Sequence, residues 1–391
     1  MVYICVIHNS LQPRAPFSNT EGTMGNRTHN GRLLGMIEQA TATAEKSTSK
    51  ESLLKAVQIV RAFKGPLEFD QTKPKAAAIV LGALALAAIA FAIWGSPEMK
   101  AWVAQATGVD HQLVQIGLAV FFGTSTLACF AFMGSRASLL PNLSEDIARR
   151  SSRITAGLVP VPMGNEKLLT RLLKEFGDYS RGNHSRDIKL ALTSSYTGET
   201  HQLSYTYCQM HYVNKRVVTE RVSDGRGGFR TRTKTVYDHF DRYSLVIDFP
   251  WVEGVSLRSN GQSAVDFEHS FETSSSDFNR AFVLTGTSTM GCVKFAKPVT
   301  VLHLLRMREQ LEGLNLEFSL GGRLCLSFEN STLLDFDMSC DLASPDDFYR
   351  LINAGVRLPN LTQVLAMAHR LADQHDDNFS LPTTTKTQTE N

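Results

Sequence analysis

AAAIVLGALALAAIAFAIWG (Ala76–Gly95) and LVQIGLAVFFGTSTLACFAFMG (Leu113–Gly134) contain no Asp, Glu, Lys, Arg or His. At a rise of about 1.5 Å per residue, each is long enough as a helix to cross a hydrocarbon layer about 30 Å thick. Paired core helices of a soluble protein would carry a polar stripe wherever one side met water. The first stretch has no polar face at any angle, and the second holds only Gln115, Thr124, Ser125 and Thr126 as polar members. Helical Ser and Thr bond back to their own backbone carbonyls and are cheap in lipid. The two stretches read as a transmembrane hairpin.

Charge around the spans gives an expected orientation. Lys55, Arg61, Lys64, Lys73 and Lys75 precede the first span, and Arg136, Arg149, Arg150 and Arg153 follow the second. The connection between them has Lys100 alone. Positive flanks stay in the cytoplasm, so both termini are expected inside an inner membrane of the cell. Trp94 and Trp102 bracket the start of the connection, where indole rings favour the headgroup layer. Small residues four apart (Ala78 and Gly82, Ala88 and Ala92, Ala119 and Gly123) would let the spans approach closely, within one chain or in an oligomer.

The chain has 391 residues, 40 Lys and Arg against 38 Asp and Glu, and six cysteines. That balance does not argue for nucleic acid as a partner. The cysteines lack disulfide-like spacing, and free thiols in a reducing compartment are expected. The first 23 residues form neither a signal peptide nor an ordinary start, and synthesis is expected to begin at Met24. The expected order is a doubtful leader (1–23), a cytoplasmic N-terminal region with an amphipathic helix (24–72), the hairpin (73–135, spans 76–95 and 113–134), a basic juxtamembrane linker (136–164), a cytoplasmic domain (165–375) and a disordered tail (376–391).

The amphipathic helix is ESLLKAVQIVRAFKG, with Thr48 and Glu51 at capping-box spacing. Its apolar stripe suits either the inner leaflet or the surface of the cytoplasmic domain. Leu139–Ser151 reads as a short basic helical stretch, Pro160 and Pro162 mark a linker, and NEKLLTRLLKEFG reads as a compact amphipathic helix. From Ile188 the period changes to two: IKLALTSS, THQLSYTYC, HYVNKRVVTERV, TRTKTVYDHF and YSLVIDFP are β-strands, with DGRGG (Asp224–Gly228) a hairpin tip. SDFNRAFVL reads as a short helix entering a strand, PVTVLHLLRMREQLEG as a helix, and LNLEFSL-GG-RLCLSFE as strand, turn and strand. SPDDFYRLINAG, with Ser344 as N-cap, and NLTQVLAMAHRLADQH are further helices. The fold class that follows is α+β, a two-helix hairpin followed by a mainly antiparallel sheet with several helices.

This order, together with YDHFDRYSLVIDFP, SSSDFNRAFVLTG, LEFSLGGRLCLSFE and LLDFD, resembles a bacterial family of two-span membrane proteins, the domain-of-unknown-function family three-one-three-seven. The likeness covers roughly Lys73 to Leu371. It implies the same architecture, and as partner a small membrane protein of the LemA type. It brings no activity and no catalytic residues.

The strongest charge feature is Asn214–Lys234, where Lys215, Arg216, Arg221, Arg226, Arg230, Arg232 and Lys234 are opposed only by Glu220 and Asp224. On a strand, Arg230, Arg232 and Lys234 point the same way. The candidate contact set for anionic lipid or a partner is Lys215, Arg216, Arg226, Arg230, Arg232 and Lys234, and each charge near a leaflet is worth about 1 kcal/mol. The same row serves equally as a solvated edge guarded by its charges. Nucleic acid is disfavoured because stacking aromatics do not interleave the row. Cys208 and His211 have a ligand-like spacing but would face opposite sides of a strand, and the second ligand pair of a zinc ribbon is lacking. Asp238, His239 and Asp241 read as surface residues at a bend. The sequence carries no P-loop, dinucleotide fingerprint or nucleophile elbow, so no catalytic residue, metal or cofactor is assigned. The reading is a membrane-anchored binding or regulatory module. The alternative is a membrane-tethered enzyme acting on lipid or a small phosphorylated substrate, which would show clustered acids or histidines with shifted pKa in a cleft.

Overall fold

The computed structural model describes residues 28–107, 109–223, 229–259 and 267–376. The expected leader, Met24, the Asp224–Gly228 tip with Arg226, and residues 377–391 lie outside the described residues. The chain divides into two compact units, one of Met1–Gln39 with Ala62–Leu139 and one of Ala40–Arg61 with Leu140–Asn391. In chain order α1 (His29–Glu45), α2 (Lys50–Arg61), α3 (Thr72–Trp94), α4 (Pro97–Thr107), α5 (His111–Ala137) and α6 (Leu139–Thr155) come first.

In the first unit α3 packs along α5, and both are long and apolar enough to cross a membrane. α3 starts where the Asp70 carboxylate accepts from Thr72 N at 2.9 Å, and α5 starts where Asp110 accepts from Gln112 N at 2.8 Å. Thr124 and Thr126 donate to Val120 O and Phe122 O, each at 2.8 Å, which closes their hydroxyls as expected. Ala78 is buried, and a Cβ on Gly82 would lie 3.9 Å from Thr126 Cγ2, so small residues do line the contact. Ala92 faces outward instead. Ile79, Leu86 and Leu127 are about 70% exposed, apolar surface that no protein atom covers. The connection is not a plain loop, because it carries α4.

The second unit continues with β1 (Val159–Pro160), α7 (Asn165–Glu175), β2 (Ser185–Thr197), β3 (Gln202–Ser223), β4 (Phe229–Asp248), β5 (Val255–Ser259), β6 (His269–Phe271), α8 (Ser276–Ala281), β7 (Phe282–Gly286), α9 (Thr289–Phe295), α10 (Pro298–Gln310), β8 (Asn315–Phe318), β9 (Arg323–Phe328), α11 (Pro345–Ala354) and α12 (Pro359–Asp376). The fold is α+β. The strands form one sheet in the order β1-β2-β3-β4-β9-β8-β5-β7-β6, antiparallel at every pair. Period-two alternation gives each central strand two buried faces. Tyr205, Tyr207, Tyr243, Leu245 and Ile247 join the larger core with Phe249, Phe278, Phe295, Leu304 and Leu365. Cys208, Met210, Val246 and Cys325 pack on the other face against Leu168, Leu172, Phe176 and Tyr179 from α7 and the turn after it. Gly322, at φ +68°, makes the tight β8–β9 turn that the Gly-Gly pair predicts.

Several expectations shift. The strands read separately as THQLSYTYC and HYVNKRVVTERV are one strand of 22 residues, and TRTKTVYDHF with YSLVIDFP is one of 20. The linker expected at 136–164 contains α6, whose Leu140, Leu143, Ile147 and Ala148 are buried, and β1, which pairs with β2. α2 packs on α11, burying Leu53, Leu54, Val57 and Val60, while Arg61 pairs with Asp346 at 2.5 Å. Its apolar stripe therefore covers protein and is not left over for a leaflet. The reciprocal cap of α2 joins Ser49 and Ser52 (3.1 and 3.3 Å) in place of Thr48 and Glu51. Ser344 precedes α11 without a side-chain cap bond.

Candidate functional site

Beyond Val213, β3 has lost β2 as a neighbour, and before Tyr243, β4 has not yet met β9. Among the described residues Asn214–Ser223 and Phe229–Asp238 therefore have no third strand beside them: ten cross-strand pairs join them, and Asn183 bonds Lys215 N and O at the root. At about 3.4 Å per residue this is an arm about 30 Å long. A two-stranded ribbon without a third strand or a core is marginal by itself, so its side chains decide what it does.

Register sorts them. Asn214 opposite Asp238, Arg216 opposite Val236, Val218 opposite Lys234, Glu220 opposite Arg232 and Val222 opposite Arg230 alternate with the other face. Arg216, Arg230, Arg232 and Lys234 thus share one face, as the spacing of the last three predicts. Lys215 lies on the opposite face, opposite Tyr237, so the candidate set is split. Arg216 Nε sits 2.5 Å from Asp238 Oδ2, which spends part of its charge inside the arm. Directly opposed unlike charges, Glu220 and Arg232, hold the register further out. Sequence reading passed over the aromatics here. Phe229 is 71% exposed beside Arg230, with the Arg221 guanidinium 5.9 Å from its ring centroid, and Tyr237 is also exposed.

No bend occurs at the root of the arm. His211 Nδ1 lies 3.0 Å from Asp241 Oδ1 and its Nε2 lies 3.1 Å from His239 Nδ1, so a His-His-Asp row crosses two strands. Asp238 points the other way and joins Arg216. Cys208 is buried on the face opposite His211, and among the described residues no group of three or more His, Cys, Asp or Glu is arranged to hold a metal ion.

Below the root, charges continue on the inside. Asp178 is 2% exposed and bonds to Arg242 Nε at 3.0 Å, Arg181 Nη2 at 2.6 Å and Asn315 Nδ2 at 3.0 Å. Arg242 also donates to Gly313 O (2.7 Å) and Ser327 Oγ (3.0 Å). Burial pushes the Asp178 carboxyl up, but Arg242 and Arg181 together outweigh it and hold it at about 2. Glu317, 4% exposed, accepts from Gly177 N at 2.7 Å through Oε2, and its Oε1 has no hydrogen-bond partner. Burial, then the Asp178 charge, pushes its carboxyl up to about 7. Two carboxyls on one buried face are thus driven apart by their neighbours.

A second cluster fastens α12 to the β2–β3 turn. His369 Nε2 accepts from His201 N at 3.1 Å, and its Nδ1 lies 3.2 Å from Asp373 Oδ2. The ring fills the place of a side chain at Gly198, where a Cβ would fall 2.1 Å from His369 Cδ2. Gly198→Ala is expected to expel the ring and cost about 1–3 kcal/mol, the usual range for overpacking. Thermal unfolding followed by circular dichroism measures it, and an unchanged melting temperature would show the ring has room to move.

Comparison with known proteins found no matching family model, no matching curated protein and no matching solved structure.

Proposed function

We propose that the protein is a membrane-anchored binding module, held in the inner membrane by α3 and α5 with both termini cytoplasmic, whose β-arm engages an anionic surface. The supporting observation is the arm itself: ten strand pairs outside any core, with Arg216, Arg230, Arg232 and Lys234 on one face and Phe229 exposed on the other, by Arg221. Charges alone also guard an exposed edge, so the length of the ribbon and its exposed aromatic carry the reading. The arm is long, carries Arg and Lys on both faces and has an exposed aromatic at its outer end, a composition that suits the headgroup layer of an anionic leaflet. The enzyme reading asks for clustered acids or histidines in a cleft. Asp178 is ionised and closed in by Arg242 and Arg181, which leaves Glu317 as the shifted carboxyl among the cleft residues, and the binding reading rests on the arm.

The test uses the full chain in nanodiscs of neutral lipid, mixed with anionic phosphatidylserine vesicles at low salt. Replacing Arg230, Arg232 and Lys234 by Ser is expected to weaken co-flotation about a hundredfold, given about 1 kcal/mol per charge near the surface. Adding salt should erase most of the difference. Equal flotation of the variant and the parent would discard the arm as the contact.

A further inference from the structure

We propose that the cleft between α7 and the β8–β9 turn binds a small phosphate ester bearing a protonated amine, with the phosphate on the Lys167, Arg171 and Lys174 stripe and the ammonium on Glu317. The cleft has a volume of about 1060 Å³ and is lined by α7, by the Ser319–Gly321 turn with Arg323, and by Glu317 at its floor. Lys167, Arg171 and Lys174 recur at i, i+4 and i+7 and occupy one exposed face of α7, opposite the buried Leu168 and Leu172. The other cation of the cleft is already engaged. Arg323 Nε donates to Glu175 Oε1 at 2.7 Å, and Ser319 Oγ donates to the same oxygen at 2.9 Å. Burial, then the neighbouring Arg171, depresses the Arg323 guanidinium, which Glu175 holds in place.

The floor has the opposite character. A buried carboxylate oxygen with no partner is costly, because it has lost water and gained nothing. Glu317 Oε1 is such an atom: it is closed to water in this structure, and its residue is among those that line the cleft. An anion alone would meet a carboxylate there, and an amine alone would meet the α7 cations. A molecule with both groups satisfies both ends. The floor oxygen needs a hydrogen to accept, which selects a primary ammonium over a quaternary one.

Calorimetric titration of the full chain in phosphatidylcholine nanodiscs tests this with O-phosphoethanolamine, phosphocholine and inorganic phosphate. Phosphoethanolamine is expected to bind at least tenfold more tightly than the other two. Glu317→Gln should remove that preference, and Arg171→Ser with Lys174→Ser should weaken all three probes at least tenfold. The latter two residues are exposed, so the test stands even if the Glu317 variant fails to fold. Absence of saturable phosphoethanolamine binding, equal affinity for phosphocholine, or affinity indifferent to the α7 substitutions would each overturn the site. Repeating the titration in phosphatidylethanolamine nanodiscs identifies the source, and both results support the site. A lipid headgroup occupying it would lower the apparent affinity for the free ester at least tenfold, and a soluble ester would leave it unchanged. None of these readings depends on the arm.

Discussion

Alanine at Asp178 is expected to lower the unfolding free energy of the sheet domain by about 3–5 kcal/mol, the cost of removing one partner from a buried ion cluster. Arg242 is 3% exposed at its side chain and Arg181 is 9% exposed. Without the carboxylate, two buried guanidinium groups lose their shared anion, and Arg242 keeps Gly313 O, Ser327 and the half-exposed Glu329 at 3.5 Å. At about 2–4 °C per kcal/mol for a domain of this size, the melting temperature should fall by about 10 °C. Asp178→Asn keeps the shape and loses the charge, so it should cost nearly as much. Asp178→Leu combined with Arg242→Met should recover most of the loss, since apolar replacements of buried pairs are often neutral. The cluster also sets an acid limit. The Asp178 carboxyl sits lower when folded than its ordinary 3.8, so its stabilisation is present above that value and disappears as pH falls through about 2. Thermal melts of the three variants in one detergent measure the differences. A loss below 1 kcal/mol for Asp178→Ala would mean that water reaches the cluster.

Why this cluster escaped sequence reading is a matter of sheet geometry. Asp178 and Arg242 are 64 positions apart, and Asp178 and Asn315 are 137 apart. In DRYSLVIDFP and LNLEFSL the alternating charged residues read as the wet face of a half-buried strand. They become internal only because α7 and the turn after it cover the second face, through Leu168, Leu172, Phe176 and Tyr179. The apolar helices were legible for the opposite reason: the absence of charge over 20 residues needs no tertiary context. The strand class was legible too, but strand length was not. The break expected near Phe240 falls just before β4 meets β9 at Tyr243, where hydropathy contrast changes while the pairing with β3 continues; the one expected after Cys208 lies inside the sheet, where β3 still pairs with β2. The helix over Leu139–Ser151 is legible in the sequence, but its place in the sheet domain is not, because Arg149, Arg150 and Arg153 dominate its composition while Leu140, Leu143 and Ile147 are buried. At the arm, the charged face was read correctly from parity for Arg230, Arg232 and Lys234. Lys215 differs in parity from the register that pairing with β4 imposes, and no single strand reveals that.

Glu317→Gln is expected to change stability with a sign that depends on pH. The folded carboxyl is pushed up to about 7 from an ordinary 4.5, so the native state holds its proton where the unfolded chain has released it. The stabilising share from this residue is complete below about pH 4.5 and is lost as pH rises through about 7. Glutamine cannot ionise. Its carbonyl can keep the bond from Gly177 N, so the variant should match the parent near pH 4.5 and exceed it at pH 8, by up to about 3 kcal/mol at 1.36 kcal/mol per pKa unit. Combined with Asp178, whose share is full above about pH 3.8, this places the most stable range that the two carboxyls set at about pH 4–5, with the Glu317 share declining from there to about pH 7. Urea midpoints for parent and variant at pH 5, 6, 7 and 8 read the difference directly. Parallel curves over that range would mean that Glu317 ionises in the folded protein without penalty, its Oε1 satisfied by solvent. Curves that diverge only after phosphoethanolamine is omitted would instead tie the cost to an empty cleft, because a bound ammonium keeps the carboxylate charged and cancels the rise in its pKa.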